Sequence, residues 1–157
     1  MRNVADAQPG DIVLQPNSLD IKSACTALYS LLSFKHPRYA HVGIYAGGGR
    51  MWTSQGGVTL QDAGAAGSIA VPYLWHDARD TLNFCASQQG KPYDAFAWVL
   101  CASEPLSFAV GIVHEATDNA YTCSSLVAAA LMRNGPVPLP LRLRTVSPDD
   151  IGAFLGA

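Results

Sequence analysis

The sequence predicts an α+β domain in which an antiparallel sheet of about five to six strands packs against helices. Three observations predict it. Short apolar runs separated by glycine turns fill the middle of the chain, in "YAHVGIYAGGGRMWTSQGGVTLQDA". Segments with apolar residues at helical spacing lie before and after that region. The chain has 157 residues, 49% of them hydrophobic and 14% charged, which suits one domain with its own core and excludes the polar composition of disorder.

Taken in order, "QPGDIVLQP" sets a β-branched run between turn residues and reads as a buried strand from Asp11 to Gln15. In "SLDIKSACTALYSLLSF", Ile21, Ala24, Cys25, Leu28, Leu31 and Leu32 recur at helical spacing behind Ser18 as N-cap. A strand from Ala40 to Ala46, a turn at Gly47 to Gly49, a strand from Arg50 to Gln55, a Gly56-Gly57 turn and a strand from Val58 to Gln61 form a meander. "GSIAVPYLW" adds a further strand, which Pro72 places at an edge or bend. "HDARDTLNFCASQQG" is helical, with Ala78, Leu82, Cys85 and Ala86 on one face and Gly90 as its stop. A helix is expected from Asp94 to Ala102, with Asp94 as its cap, and 106–113 is ambiguous between helix and strand. From Cys123, the stripe Leu126, Val127, Ala130 and Leu131 predicts a helix stopped by Asn134-Gly135. After the short proline-rich connection "GPVPLPLRLR", the stretch "SPDDIGAFL" predicts a terminal helix, with Ser147 at the N-cap, Pro148 at the first helical position and Asp150 three residues after the cap.

A formal charge of −2, with Arg142 and Arg144 in no long basic stripe, excludes nucleic acid as an expected partner. "MRNVADAQPGDIVL" lacks the apolar segment of a secretory signal, and no apolar run is long enough for a transmembrane segment, so synthesis in the cytoplasm is expected. A bacterial toxin exported without a cleaved signal has the same appearance. Cys25, Cys85, Cys101 and Cys123 are far apart and contain no C-x-x-C pair, which argues for free thiols and against a zinc site or disulfide framework.

Cys123 differs from the other cysteines in lying at the start of a helix, in "YTCSSLVAAALMRNG". Backbone N–H groups and the positive end of the helix dipole favour a thiolate there, and the same N–H groups can hold an oxyanion. Cys25 and Cys85 sit on apolar helix faces and read as core residues. A cysteine nucleophile needs a base, and there are four histidines. His36 precedes a proline in a polar turn, His76 begins a helix near the surface, and His114 lies in a loop nine positions before Cys123. His41 opens the apolar strand "HVGIY", where a rigid element can aim an imidazole into a cleft, although a core histidine bonded to backbone has the same pattern.

"PGDIVL", "HVGIYAGGGR", "GKPYD", "YTCSSLV" and "SPDDI" occur in an order that resembles the circularly permuted NlpC/P60 proteins. These are papain-like and related to the YiiX-type hydrolases and lecithin:retinol acyltransferase-like enzymes. The resemblance runs from about Pro9 to Ile151, with the histidine strand ahead of the cysteine helix as in the permuted branch. It implies a permuted papain-like fold over 1–157, with Cys123 as nucleophile at a helix N-terminus and His41 as base. The implied reaction is attack on an amide or ester carbonyl through an acyl-enzyme, with no metal and no organic cofactor.

Relatives usually carry a histidine or carboxylate about twelve positions beyond the base, as its orienter. Here that position is Thr53, with Gln55 on the same strand face and Ser54 substituted by a one-residue register slip. Tyr93 and Tyr121 are candidates for an oxyanion hole, or amphipathic residues at a core edge. The triglycine Gly47 to Gly49 lacks the following helix and Lys-Ser/Thr of a phosphate loop and reads as a hairpin turn.

The expected activity is cysteine hydrolysis of a peptide or isopeptide bond, such as those of peptidoglycan stems. A lipid acyl hydrolase or acyltransferase is the alternative within the enzyme class, with Trp52, Trp75 and Trp98 as candidates to line an acyl groove. A catalytically inactive binding module that keeps the fold is the alternative outside it. A small self-contained chain without a signal also fits an antibacterial effector delivered to the periplasm of a target cell, in which case an immunity or delivery protein is its partner.

Overall fold

A computed structural model describes residues 1–16, 38–73, 77–95, 97, 119–133, 135 and 146–157. The expected helix behind Ser18, most of the helix after Asp94, 106–113, the proline-rich connection and the side chains of Cys25, His36, Trp75, His76, Trp98, Cys101 and His114 lie outside them. The described elements are β1 (Arg2–Asn3), a 3-10 turn (Val4–Asp6), β2 (Ile12–Pro16), β3 (Tyr39–Gly47), β4 (Arg50–Ser54), β5 (Val58–Asp62), β6 (Ile69–Val71), α1 (Ala78–Ser87), α2 (Cys123–Arg133) and α3 (Pro148–Leu155).

The strands form one six-stranded sheet in the order β1-β6-β2-β3-β4-β5, and every pairing is antiparallel. The α+β class and the antiparallel sheet of the sequence reading are therefore present. β3 to β5 form the expected meander, turned by glycines at positive φ: Gly47, Gly48 and Gly49 between β3 and β4, and Gly56 and Gly57 between β4 and β5; β2 pairs with β3 beside it. Of the two placements expected for β6, the edge is not met, because it lies between β2 and β1. Pro72 immediately follows β6, so its missing N–H costs no ladder bond. The edge strand β1, only two residues long, gave no periodic signal in the sequence.

Alternation along the strands divides the apolar residues between two faces. Ile12, Leu14, Val42, Ile44 and Trp52 join Leu126, Val127, Ala130 and Leu131 of α2 in the larger core. Val13, Tyr45 and Met51 pack with Val4 and Ala63 in a smaller cluster on the other side. Trp52, one of the aromatic residues considered for an acyl groove, belongs to the larger core. α1 is capped by Asp77, whose carboxylate accepts the Arg79 and Asp80 N–H groups. Its buried residues are Thr81 and Cys85, with Leu82 half-buried; Ala86, assigned to that face by periodicity, is exposed because the core covers a narrow stripe. Among the described residues, no helix is long and apolar enough to cross a membrane.

Candidate active site

Thr122 starts α2. Its hydroxyl oxygen accepts the Ser125 N–H at 3.1 Å, and its own N–H donates to Ser125 Oγ at 2.8 Å. This is a capping box with serine in place of the usual Glu or Gln, and the Thr122 carbonyl accepts the first helical bond, from Leu126 N–H. Cys123 is thereby the first residue of the helix. The cap occupies the third N–H of the helix; the backbone of the first two residues, Cys123 and Ser124, acts to lower the pKa of the Cys123 thiol.

Two strands converge on the same point. The β3–β4 ladder runs from Gly47/Arg50 to Ile44/Trp52 and stops there, although both strands continue. Beyond it, the Val42 backbone acts to lower the pKa of Cys123, and the Val42 carbonyl accepts a hydrogen bond from Thr53 Oγ1 at 2.8 Å. Thr53 Oγ1 also lies 2.9 Å from His41 Nε2. A hydroxyl has one proton, and Val42 takes it, so Oγ1 accepts from His41 and Nε2 carries the hydrogen. The remaining nitrogen of a neutral His41 ring, Nδ1, is then its proton acceptor. Val42 thus serves both sides: its backbone acts to lower the pKa of the thiol, and its carbonyl fixes the threonine that holds the imidazole.

Gly43 makes this approach possible. A Cβ there would stand 2.7 Å from the Trp52 carbonyl oxygen and 2.8 Å from Met51 Sδ, distances that no side chain tolerates. With hydrogen in its place, β4 lies close against β3 and Thr53 reaches across to Val42 and His41.

The three candidates for the orienter separate cleanly. Thr53 is buried and bonded to His41. Ser54 is also buried, but its hydroxyl donates to the Tyr121 carbonyl at 2.7 Å, tethering β4 to the approach to α2. Gln55 lies past the end of β4 and is exposed. Tyr121, expected at a core edge, is only 1% exposed, and its hydroxyl donates to Gln88 Oε1 at 3.1 Å. That proton is committed to Gln88, a bond that ties Tyr121 to the end of α1. Tyr93 is half-buried, and its backbone pairs with Tyr121 in a parallel bridge. Asp94 caps as expected, accepting the Ala97 N–H at 2.8 Å.

The thiol differs from the sequence expectation in its charge. Burial pushes Cys123 up from the ordinary thiol value, outweighing the lowering by the Val42, Ser124 and Cys123 backbone. A helix N-terminus alone favours the thiolate; here loss of water decides, and the resting group is the neutral thiol. Cys85 and Cys123 are free thiols, and no cluster of metal-binding side chains occurs among the described residues.

Sequence reading missed Thr122, Gly43 and Val42. The cap was findable as T-x-x-S immediately before an apolar helix; the roles of Gly43 and Val42 depend on strand pairing and carry no local signal. Comparison of the chain with models of known protein families finds no match, and comparison with curated proteins finds none.

Proposed function

We propose that the chain is a cysteine hydrolase that cleaves amide bonds of peptide or isopeptide type through an acyl-enzyme. The observation that carries this reading is the buried Thr53 hydroxyl, which donates to the Val42 carbonyl and holds His41 Nε2, on the strand whose Val42 backbone acts to lower the pKa of Cys123. The resemblance of the ordered motifs to permuted NlpC/P60 proteins points the same way, as does the placement of Cys123 at a capped helix start.

In this reading His41 Nδ1 takes the Cys123 proton as the sulphur attacks the carbonyl carbon. The C=O π electrons move to oxygen, and the resulting oxyanion faces the Cys123 and Ser124 N–H groups. Collapse restores the carbonyl and breaks the C–N bond, with the imidazolium proton going to the leaving amine. Water then attacks the thioester, His41 takes its proton, and the thiol is regenerated with release of the acid. Burial of Cys123 and the lack of charge on Thr53 favour a neutral pair at rest, so proton transfer accompanies attack and does not precede it.

The same two features favour a second reading, a binding module that keeps the fold without turnover. Purified peptidoglycan fragments and phospholipid vesicles, each incubated with wild type and with Cys123→Ala and followed by mass spectrometry, separate the possibilities. Cleavage of a stem or cross-link amide by wild type alone supports the proposal. Release of fatty acid places the enzyme among lipid acyl hydrolases, and binding of either material without products places the chain among binding modules. The effector role is tested by directing wild type and Cys123→Ala to the periplasm of a test bacterium; lysis by wild type alone supports it, and equal growth removes it.

A further inference from the structure

The part of β3 that carries His41 is weakly held by the sheet. On one side the β2–β3 register shifts where Gln15 pairs with His41 and Pro16 with Tyr39, leaving Ala40 as an extra residue, and Pro16 has no N–H to donate. On the other side the ladder to β4 has already stopped at Ile44. The main chain there is held from α3 instead. One carboxylate oxygen of Asp149, Oδ1, accepts the Arg38 N–H at 3.1 Å and the Tyr39 N–H at 3.0 Å. Tyr39 packs so closely on α3 that a Cβ at Gly152 would stand 2.9 Å from its ring.

Asp149 is not needed to cap its own helix. Ser147 and Asp150 do that: the Ser147 hydroxyl accepts the Asp150 N–H, and Asp150 Oδ2 accepts the Ser147 N–H at 2.8 Å. Meanwhile the chain just before α3 grips the other side of the site, because Ser124 Oγ donates to the Val146 carbonyl. The first turn of α3 therefore holds the strand two residues before His41, and the chain just ahead of that turn holds the helix one residue after Cys123. The Asp149 carboxyl is half-buried, and desolvation raises its pKa despite the two N–H bonds, so the arrangement is held against a cost.

We infer that Asp149 is a positioning residue for His41, setting the imidazole against Cys123 by fixing the Arg38–Tyr39 backbone. This rests on the hydrolase reading of the same pair. The test is the rate of Cys123 alkylation by iodoacetamide, followed by peptide mass spectrometry on folded protein checked by circular dichroism. Cys123 in wild type reacts faster than in His41→Ala. Asp149→Ala, which removes the acceptor, lowers the rate about tenfold or more toward the His41→Ala level. Asp149→Asn, which keeps an oxygen at the same place, restores it. In the His41→Ala background Asp149→Ala has no further effect, since a residue acting through the imidazole is not additive with its loss.

Gly152→Ala approaches the same contact from α3 with Asp149 intact; it is expected to slow alkylation too, and it carries the test if Asp149→Ala does not fold. Unaltered Cys123 reactivity in folded Asp149→Ala, or in Gly152→Ala, overturns the inference and leaves the hydrolase reading standing if His41→Ala is slow. An effect of Asp149→Ala that persists undiminished in the His41→Ala background overturns it as well. Equal rates in wild type and His41→Ala overturn the hydrolase reading, and the inference with it.

Discussion

Cys85 and Cys123 are both buried thiols on helices, in the same core cluster, and they differ in almost everything that matters for chemistry. Cys85 lies in the interior of α1 with no exposed surface, and burial pushes its pKa up to about 12 against one hydrogen bond from its own backbone. Cys123 begins α2 and is 8% exposed; burial raises it too, but hydrogen bonds from β3, from Ser124 and from its own backbone oppose the shift. Both therefore rest as thiols. The difference lies in what opposes burial: at Cys85 a single backbone hydrogen bond does, and at Cys123 backbone groups of Val42, Ser124 and Cys123 itself do. Burial alone does not distinguish the two cysteines; the helix end and the strand beside it do.

The largest test of that contrast is removal of each sulphur. Cys123→Ala is expected to lower amide hydrolysis by about 10⁴-fold or more, as for loss of other nucleophiles. Cys85→Ala leaves the turnover rate unchanged and costs about 1 kcal/mol of stability, read from urea denaturation, for the small cavity it opens. Activity lost through Cys85 and kept without Cys123 would invert the assignment.

Next comes Thr53. Thr53→Val keeps the shape and removes the hydroxyl, so His41 loses its acceptor while the Val42 carbonyl loses its donor. A fall of roughly 10²-fold in kcat is expected, with KM little changed, since the bond orients the base and does not bind substrate. Thr53→Ser retains most of the rate. If Thr53→Val matches wild type, His41 owes nothing to this threonine.

A smaller effect concerns pH and stability. The folded pKa of Cys85 is raised from about 9.0 to about 12, so the folded state holds its proton more tightly than the unfolded chain does. This contribution is fully present below pH 9 and is lost as the pH rises toward 12, at up to about 1.4 kcal/mol per pH unit. Urea midpoints from pH 7 to pH 10.5 should fall less steeply for Cys85→Ala than for wild type; parallel curves would mean that Cys85 meets solvent in the folded state.

The smallest expected effect compares the two helix caps. Thr122→Ala and Asp77→Ala each remove a side-chain cap and should each cost about 1 kcal/mol of stability. Only Thr122→Ala should also change the alkylation rate of Cys123, because only that cap sets the helix start that carries the sulphur. Equal alkylation rates in both variants would assign Thr122 to stability alone.

The legible parts of the sequence were the local ones. "SPDDI" gave its cap, its proline at the first helical position and its box with Asp150 because all three act within one helical turn. The glycine turns of the meander were readable because positive φ selects glycine residue by residue. The choice among Thr53, Ser54 and Gln55 was not readable: adjacent strand positions point to opposite faces, and which one meets His41 depends on how β4 lies against β3. Tyr121 looked like an edge residue because nothing nearby in sequence announces Gln88 as its hydroxyl partner.

Among the described residues, the sequence by itself determined the class of the elements, most of their approximate boundaries, the start of a helix at Cys123 and the candidacy of a histidine at the head of "HVGIY". Those follow from short-range forces: side-chain periodicity, capping hydrogen bonds and backbone preference. The tertiary structure alone decided that β6 enters between β1 and β2, that Thr53 bridges the Val42 carbonyl and His41, and that Asp149 of α3 and Val146 just before it hold the two sides of the site. It also decided the charge of Cys123, because the helix end acts over one turn while desolvation sums over every element packed around the sulphur.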